Sequence, residues 1–383
     1  MNSVEENEKK KLIGVRIFSD MPLQYYGGGE KIIIDISNYF YSKGVEIEVY
    51  QPNYKNESRM STEEIRNVIK AEINTIKYAT YHPEFLFQEL PNINAFDKNR
   101  VNLVFLYRIP PKRYLKKLKT SKITVIFCMH GITTKIPLLS LKLAIFNLYS
   151  KFALSYFIKF LNERSIIKAQ VLTKTTEKYL ELRGADKNHV VRIPNCIEFN
   201  DFAVGKNNTQ FEVIFMGRII NIQKGIKRLV SIIKKLPSEI KILIIGSGRD
   251  KKILERIQLK NVKYLGFVNE KLKKEILTNG NLLILTSNTE PFGLVILEGL
   301  ASGLPIVSTP VEGSMEILNT DKNLGTISSF NSEYFAKDII RYFKKWKDDK
   351  DLYFQNKIKR REIAMKSYDR SAMMEEYYEM INL

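Results

Sequence analysis

Cysteine and histidine are scarce in this chain of 383 residues: two cysteines, Cys128 and Cys196, and three histidines, His82, His130 and His189. They form no CxxC pair and no cluster with zinc-ligand spacing, which excludes a structural zinc site and a disulfide-stapled scaffold. Two isolated thiols fit a reducing compartment. The polar N-terminus carries Lys9-Lys10-Lys11 but no apolar leader core follows it, so a cytoplasmic location is expected. The single DxD match, Asp349-Lys350-Asp351, sits in a lysine-rich stretch and reads as solvated surface, not as a metal site. What is present is ordinary globular material, 44% hydrophobic and 27% charged, enough for about two domains.

Acidic residues are also few where it matters. The net charge is +19, and residues 101–170 carry 13 Lys/Arg against one acid, Glu163, whereas the first hundred residues are slightly negative. A basic field this local points to an anionic partner, with membrane lipid, nucleic acid and a phosphorylated substrate as the alternatives to a plainly solvated surface. No RNA- or DNA-binding motif accompanies it.

Short apolar runs alternate with amphipathic ones. Strands are expected at Leu12–Phe18, Val45–Tyr50, Asn102–Tyr107, Ile123–Cys128, Ala169–Leu172 and His189–Ile193, then at Glu212–Met216, Ile240–Ile245, Val262–Leu265, Asn281–Leu285 and Pro305–Ser308. Ser61 with Glu64 reads as a capping box, and a helix from Lys174 to Arg183 stops at Gly184. Strands separated by helices imply parallel sheets with right-handed crossovers. Two such series, joined near Pro194–Asn208, imply two doubly wound domains whose ligand lies beyond the carboxyl ends of the strands, in the cleft between them.

The most informative stretch is Thr289-Glu290-Pro291-Phe292-Gly293-Leu294-Val295-Ile296-Leu297-Glu298-Gly299. Free N–H groups at Phe292, Gly293 and Leu294 would open a helix and suit sugar hydroxyls or phosphate. Glu298 is expected two turns along the same helix as Glu290, so that both carboxylates face one cleft. Arg218 and Lys224, just after a strand, are cations suited to a departing diphosphate. Gly28 and Gly29 let backbone approach a phosphate closely. Gly246-x-Gly248 is half a dinucleotide fingerprint and carries no expectation of NAD.

The segment EPFGLVILEGLASGLPIVST, with its Glu-x7-Glu, closely resembles the retaining glycosyltransferases of the GT-B fold, family four (glycosyl transferases group 1). Met216-Gly217-Arg218 with Lys224-Gly225, Ile244-Ile245-Gly246-Ser247-Gly248, Leu265-Gly266-Phe267-Val268, Ile193-Pro194-Asn195 and Gly27-Gly28-Gly29-Glu30 resemble the family's other landmarks in the same order. The resemblance implies two Rossmann-like domains: an acceptor-binding one over 1–195 completed by a C-terminal helix at 367–383, and a nucleotide-sugar-binding one over 196–366. It implies Glu290, Arg218, Lys224 and His130 as catalytic, with Glu290 and His130 near the donor sugar. Glu298 would hold the ribose, and Gly246 and Val268 would lie near the base and ribose. It further implies transfer with retention from a UDP- or GDP-sugar, no cofactor and no metal. A lipid-linked or glycan acceptor is the expectation; a soluble synthase with a small acceptor, and a binder of nucleotide sugars without turnover, stay open beside it.

The sequence departs from that family at Cys196, where glycine is usual, so the local backbone is expected to differ; Glu198 stands where aspartate is usual. From Ile136 to Ile167 the chain is apolar and aromatic but interrupted by Lys142, Lys151 and Lys159. It reads as amphipathic helix at an anionic membrane surface, peripheral to the inner face, with the first domain's core as the alternative.

Overall fold

A computed structural model of the chain describes residues 14–53, 60–81, 88–131, 141–164, 166–205 and 209–382. His82 and residues 136–140 of the aromatic segment lie outside the described residues.

The first seven-stranded sheet is built from β1 (Val15–Phe18), β2 (Ile47–Pro52), β3 (Glu72–Ile76), β6 (Val101–Leu106), β7 (Val125–Met129), β8 (Ile167–Val171) and β9 (Val190–Arg192). They run in the order β3-β2-β1-β6-β7-β8-β9, all parallel. A two-stranded antiparallel ribbon, β4 (Ala79–Tyr81) with β5 (Gln88–Leu90), branches from it. The second sheet comprises β10 (Glu212–Met216), β11 (Lys241–Ile245), β12 (Val262–Gly266), β13 (Leu282–Leu285), β14 (Ile306–Ser308) and β15 (Gly325–Ile327). It runs β12-β11-β10-β13-β14-β15, again all parallel.

Parallel strands covered by helices on both faces need apolar side chains on both, and these do. In β10, Val213 and Phe215 enter a cluster with the helices Ile226–Ile233 and Ser332–Asp348, while Ile214 and Met216 enter another with Leu294–Ala301. In the first sheet Ile17 faces the helix Gly28–Ser42, and Phe18 faces the opposite cluster with Leu115 and Phe157. Strand order reverses between β1 and β6, and again between β10 and β13, which opens a crevice at the carboxyl end of each sheet.

Eleven expected strands appear with ends shifted by a few residues at most. The missed ones, β3, β4, β5 and β15, are short or partly polar: Glu72-Ile73-Asn74-Thr75-Ile76 lies at a sheet edge and is nowhere fully buried. The capping box is formed, with the Glu64 N–H donating to Ser61 Oγ at 3.1 Å and the Ser61 N–H to Glu64 Oε2 at 2.7 Å. Gly184 follows the helix Lys174–Glu181 in the left-handed region.

The C-terminus corrects one expectation. The final helix does not begin at 367: Lys350–Tyr368 ends there, Asp369 is extended, and Arg370–Asn382 begins anew. At that break the returning chain meets the outgoing one: the Ile197 N–H donates to Tyr368 O and the Arg370 N–H to Ile197 O at 3.0 Å. Met374, Tyr377 and Ile381 then pack into the core of the first sheet. Asp349 of the DxD match caps Lys350–Tyr368, accepting from the Leu352 N–H at 2.8 Å.

Three cations of that helix lie against helix ends. Lys357 is 2% exposed and its ammonium donates to the carbonyls of Gly205, Thr278 and Gly280 at 3.1–3.4 Å, the last two at the end of the helix Glu270–Asn279. Arg360 and Arg361 serve the helix Leu294–Ala301 alike, through Gly303 O and Ala301 O. Carbonyls at a helix C-terminus lack intrahelical donors and carry partial negative charge. Lys357→Met removes the ammonium from Gly205 O and Gly280 O, while Thr278 O keeps the Gly205 N–H, and is expected to cost about 2 kcal/mol, read as a lowered midpoint in urea. Burial, with Arg360 adding to it, depresses the folded Lys357 ammonium from 10.5 to about 8. Between those values the unfolded chain holds more protons, so the stability of the wild type relative to the Met variant rises from pH 8 to 10.5.

Candidate active site

The carboxyl end of β10 leads into Gly217-Arg218 and the short helix Asn221–Lys224, which ends on Gly225 at φ 63°. A Cβ at Gly225 would lie 2.1 Å from Thr286 O, so only glycine lets this turn approach the loop after β13. That loop is held from several sides. Thr286 Oγ1 donates to Lys224 O at 2.8 Å and the Asn288 N–H to Gln223 O at 2.8 Å. Arg228 donates to Thr286 O at 2.7 Å and to Asn288 Oδ1 at 2.9 Å. The result brings Lys224 and Glu290 together: the ammonium donates to Glu290 Oε2, with both residues under 10% exposed.

Glu290 does not share a helix with Glu298, as the sequence spacing suggests. Gly293, left-handed at φ 94°, is the N-cap, so the helix starts at Leu294 and Glu290 stays in the loop before it. Both carboxylates nonetheless end at the same edge of the second sheet. The Phe292 ring is buried in the core behind. Among the described residues, none accepts from the N–H groups of Phe292, Gly293 or Leu294, which leaves three donors at a helix N-terminus.

Glu298 is not bare. Lys273, from the helix Glu270–Asn279, donates to its Oε1 at 2.7 Å. Lys273 also pairs with Glu270 at 2.8 Å, and Glu270 reaches Lys31 of the helix Gly28–Ser42 at 2.9 Å, so a line of four alternating charges crosses from the second sheet's helices to the first's. Burial alone pushes the Lys273 ammonium down, but Glu298 and Glu270 overturn that and hold it above the ordinary lysine value. No motif pointed to Lys273, Glu270 or Lys31, since charges on an exposed-looking helix carry no signal until the fold buries them.

Opposite lies the crevice after β1 and β6. A Cβ on Gly28 would meet the Leu294 side chain at 2.9 Å, and one on Gly29 would meet the Tyr107 hydroxyl at 2.7 Å. The glycine-rich loop therefore touches the helix Leu294–Ala301 and an aromatic ring just after β6. Glu30 caps this loop, its Oε2 accepting from the Gly27 N–H at 2.8 Å. Tyr26, just before, is a non-glycine residue at φ 44°. Tyr107 was not anticipated; it is 40% exposed and close enough to Arg218 to feel its charge. Arg218 is itself exposed and has no carboxylate partner among the described residues.

His130, after β7, lines a small cavity with Asp20, Glu30, Tyr107 and Phe105. Gln170 spends its amide N–H groups on Val171 O and Ile193 O, which turns Oε1 toward His130 Nε2 at 3.1 Å. That network assigns the proton to Nε2 and leaves Nδ1 as an acceptor with no partner among the described residues. Tyr377 of the terminal helix stands 3.3 Å from Nε2. Burial pushes the ring down to about 4, against a smaller opposing effect of Gln170.

Gly246 follows the carboxyl end of β11 and Val268 lies just past β12. A Cβ at Gly246, whose φ is 132°, would fall 1.8 Å from Gly217 O, so this glycine lets two strand ends close on each other. Val268 is partly buried against the second core, just ahead of the Asn269 cap. Cys196 is 1% exposed in the first core and is absent from the left-handed residues, so cysteine replaces glycine there without strain. Burial raises both thiols above their ordinary value, which leaves them inert. Among the described residues no group of three His, Cys, Asp or Glu could hold a metal ion, and no helix is long and apolar enough to cross a membrane.

Two parallel Rossmann-like sheets with reversed strand order, and sites at the facing carboxyl ends, define the GT-B fold. Residues 197–360, which carry Arg218, Lys224, Glu290 and Glu298, match the model of the family described as glycosyl transferases group 1. An uncharacterized glycosyltransferase of Methanocaldococcus jannaschii is 30% identical over 151 residues, 38% of this chain and 38% of that protein. One component of the human phosphatidylinositol N-acetylglucosaminyltransferase is 30% identical over 155 residues, 38% of this chain and 32% of that protein. The chain thus spans about a third of the length of these curated relatives. Among solved structures, HepE of Anabaena in complex with UDP and glucose superposes with a TM-score of 0.69 at 15% identity, covering 96% of this chain and 99% of that one. Sucrose-phosphate synthase from Thermosynechococcus elongatus gives 0.71 at 15%, covering 97% and 98%.

With its ring pushed down to about 4, His130 is neutral from pH 5 to 8. A titration of its imidazole nitrogens by NMR is expected to show no protonation in that window; a midpoint near 6.5 would refute the effect of burial on the ring.

Proposed function

We propose that this chain is a retaining glycosyltransferase of family four, moving a sugar from a UDP- or GDP-linked donor to a lipid-linked or glycan acceptor at the cytoplasmic membrane face. The observation that carries the reading is the second crevice: the buried Lys224–Glu290 pair, Arg218 with no carboxylate partner among the described residues, and three N–H groups at one helix N-terminus that no described residue bonds. The names of the relatives, a sugar transferase in each case, agree with it.

In this reading Arg218 and Lys224 take the charge of the leaving diphosphate, with the amides of Phe292, Gly293 and Leu294 beside it. The bond from the anomeric carbon to the β-phosphate oxygen breaks, its electron pair staying on the phosphate. The acceptor oxygen attacks the same face, and its proton passes to that phosphate oxygen. Glu290, fixed by Lys224, and the bare Nδ1 of neutral His130 accept from donor-sugar hydroxyls and hold the ring for attack. Two protein cations supply the charge a metal would otherwise bring, so the reaction is proposed to need neither metal nor cofactor.

The membrane part of the reading rests on the helices Lys112–Lys119 and Leu141–Asn162, which pack together. The second buries Leu154, Phe157 and Phe160 in the first core but leaves Phe152 70% exposed, and Lys112 lies over the Tyr156 ring at 5.0 Å. Lys116 and Lys117 add charge alongside, while Lys119 is paired with Glu163 at 2.8 Å, an arrangement that suits an anionic lipid surface.

Arg218→Ala, with unchanged melting, and Glu290→Ala, with melting lowered because it strands the buried Lys224 ammonium, are each expected to lower turnover about 100- to 1,000-fold, measured as nucleotide release from a panel of UDP- and GDP-sugars with a membrane lipid extract. Release is expected to survive EDTA; loss in EDTA with recovery in Mg²⁺ sinks the metal-free mechanism. Flotation with anionic liposomes at low salt is expected to carry the protein, and the double charge reversal Lys116→Glu/Lys117→Glu to abolish this. No flotation of the wild type removes the membrane from the proposal and favours a small soluble acceptor.

A further inference from the structure

Each carboxylate of the Glu-x7-Glu stretch is held by a buried lysine. Lys224 on Glu290 belongs to the family pattern; Lys273 on Glu298 matches none of the motifs. Lys273 is 7% exposed, and an ammonium that far from water is retained only with ionic partners on it. It has two, Glu298 Oε1 at 2.7 Å and Glu270 Oε2 at 2.8 Å. The second oxygen of Glu298 takes no bond from any described residue, and the carboxylate is 12% exposed at the cleft.

Resting on the reading of Glu298 as the ribose-binding carboxylate, we propose that Lys273 is the positioning residue of the donor's ribose subsite: it fixes Glu298 so that the free oxygen accepts from the ribose hydroxyls. Two physical consequences support this. A carboxylate on a free rotor samples several orientations, and a charge-assisted bond to one oxygen selects one of them in advance, which lowers the ordering cost of binding. An unpaired carboxylate next to an incoming nucleoside diphosphate repels it, and the ammonium cancels that charge without competing for the free oxygen. Glu270 anchors Lys273 from the other side and is itself tied by Lys31 across the cleft, next to Tyr26, whose ring lies 4.9 Å from that ammonium. The carboxylate that meets the ribose is thereby connected to the helix that follows the glycine-rich loop.

The experiment is a comparison of UDP with 2′,3′-dideoxy-UDP, and of GDP with its dideoxy analogue, by calorimetry on the full chain. The wild type is expected to prefer the ribonucleotide, and Glu298→Ala to lose that preference. Lys273→Met is expected to lose it too, weakening the ribonucleotide about tenfold while changing the dideoxy analogue little. Lys273→Arg restores the preference, and Lys273→Met/Glu298→Ala is no worse than Glu298→Ala alone. A merely structural lysine would weaken both nucleotides equally. Lys273→Leu carries the same readout where the Met variant does not fold. A Lys273→Met protein with native melting and an intact ribonucleotide preference overturns the proposal while leaving Glu298 as the ribose residue. A wild type that binds both nucleotides equally, or neither, overturns the ribose reading of Glu298, and the role of Lys273 falls with it.

Discussion

Parallel strands with helices on both sides must be apolar on both faces, and that constraint decides where this molecule can place anything polar. Ile17 and Phe18, or Val213 and Ile214, are neighbours in sequence that serve opposite cores. Arg16 and Glu48, charges within β1 and β2, are paired with each other at 2.5 Å. The charges of the candidate site collect where the strands end, and the two reversals of strand order, β1 beside β6 and β10 beside β13, keep those ends open. Arg218, Lys224 and Glu290 sit at one such opening; Gly28, Gly29, Tyr107 and His130 sit at the other.

Buried cations follow two separate solutions. Lys357 and Arg360, with the partly buried Arg361 beside them, use main-chain carbonyls at helix ends, partners that can neither leave nor titrate, and they lock the helix Lys350–Tyr368 onto the second sheet. Lys224 and Lys273 use carboxylates at the cleft. The second arrangement keeps a carboxylate and an ammonium in one place at little net charge, which is what a site receiving an anionic, hydroxyl-rich ligand requires. The same physics of burial thus yields a rigid joint in one place and a polar surface ready for a ligand in the other.

Glycine is needed here for proximity more than for flexibility. Gly225 lets the Lys224 turn reach the Glu290 loop, Gly246 lets two strand ends meet, and Gly29 leaves space for Tyr107. Each allows two backbone segments, or a backbone and a ring, to approach more closely than a Cβ would permit. Cys196 shows the converse: its backbone stays outside the left-handed region, so a side chain is tolerated where the resemblance leads one to expect glycine.

The sequence by itself determined the alternation of strand and helix and the two-sheet architecture, and it singled out Arg218, Lys224, Glu290 and Glu298 as candidates, because periodicity, glycine placement and a long ordered series of motifs are local properties of the chain. Short edge strands such as Glu72–Ile76 escaped, since a half-exposed strand has no strong pattern. Only the tertiary structure decided which charges are paired. Lys31, Lys273 and Glu270 are distributed over two helices more than two hundred residues apart, and each looks like ordinary surface in its own segment. The tautomer of His130 likewise depends on Gln170, forty residues on, and on the carbonyls that occupy the Gln170 amide. An ion pair or a proton position is a relation between groups brought together by packing, and no local pattern encodes it.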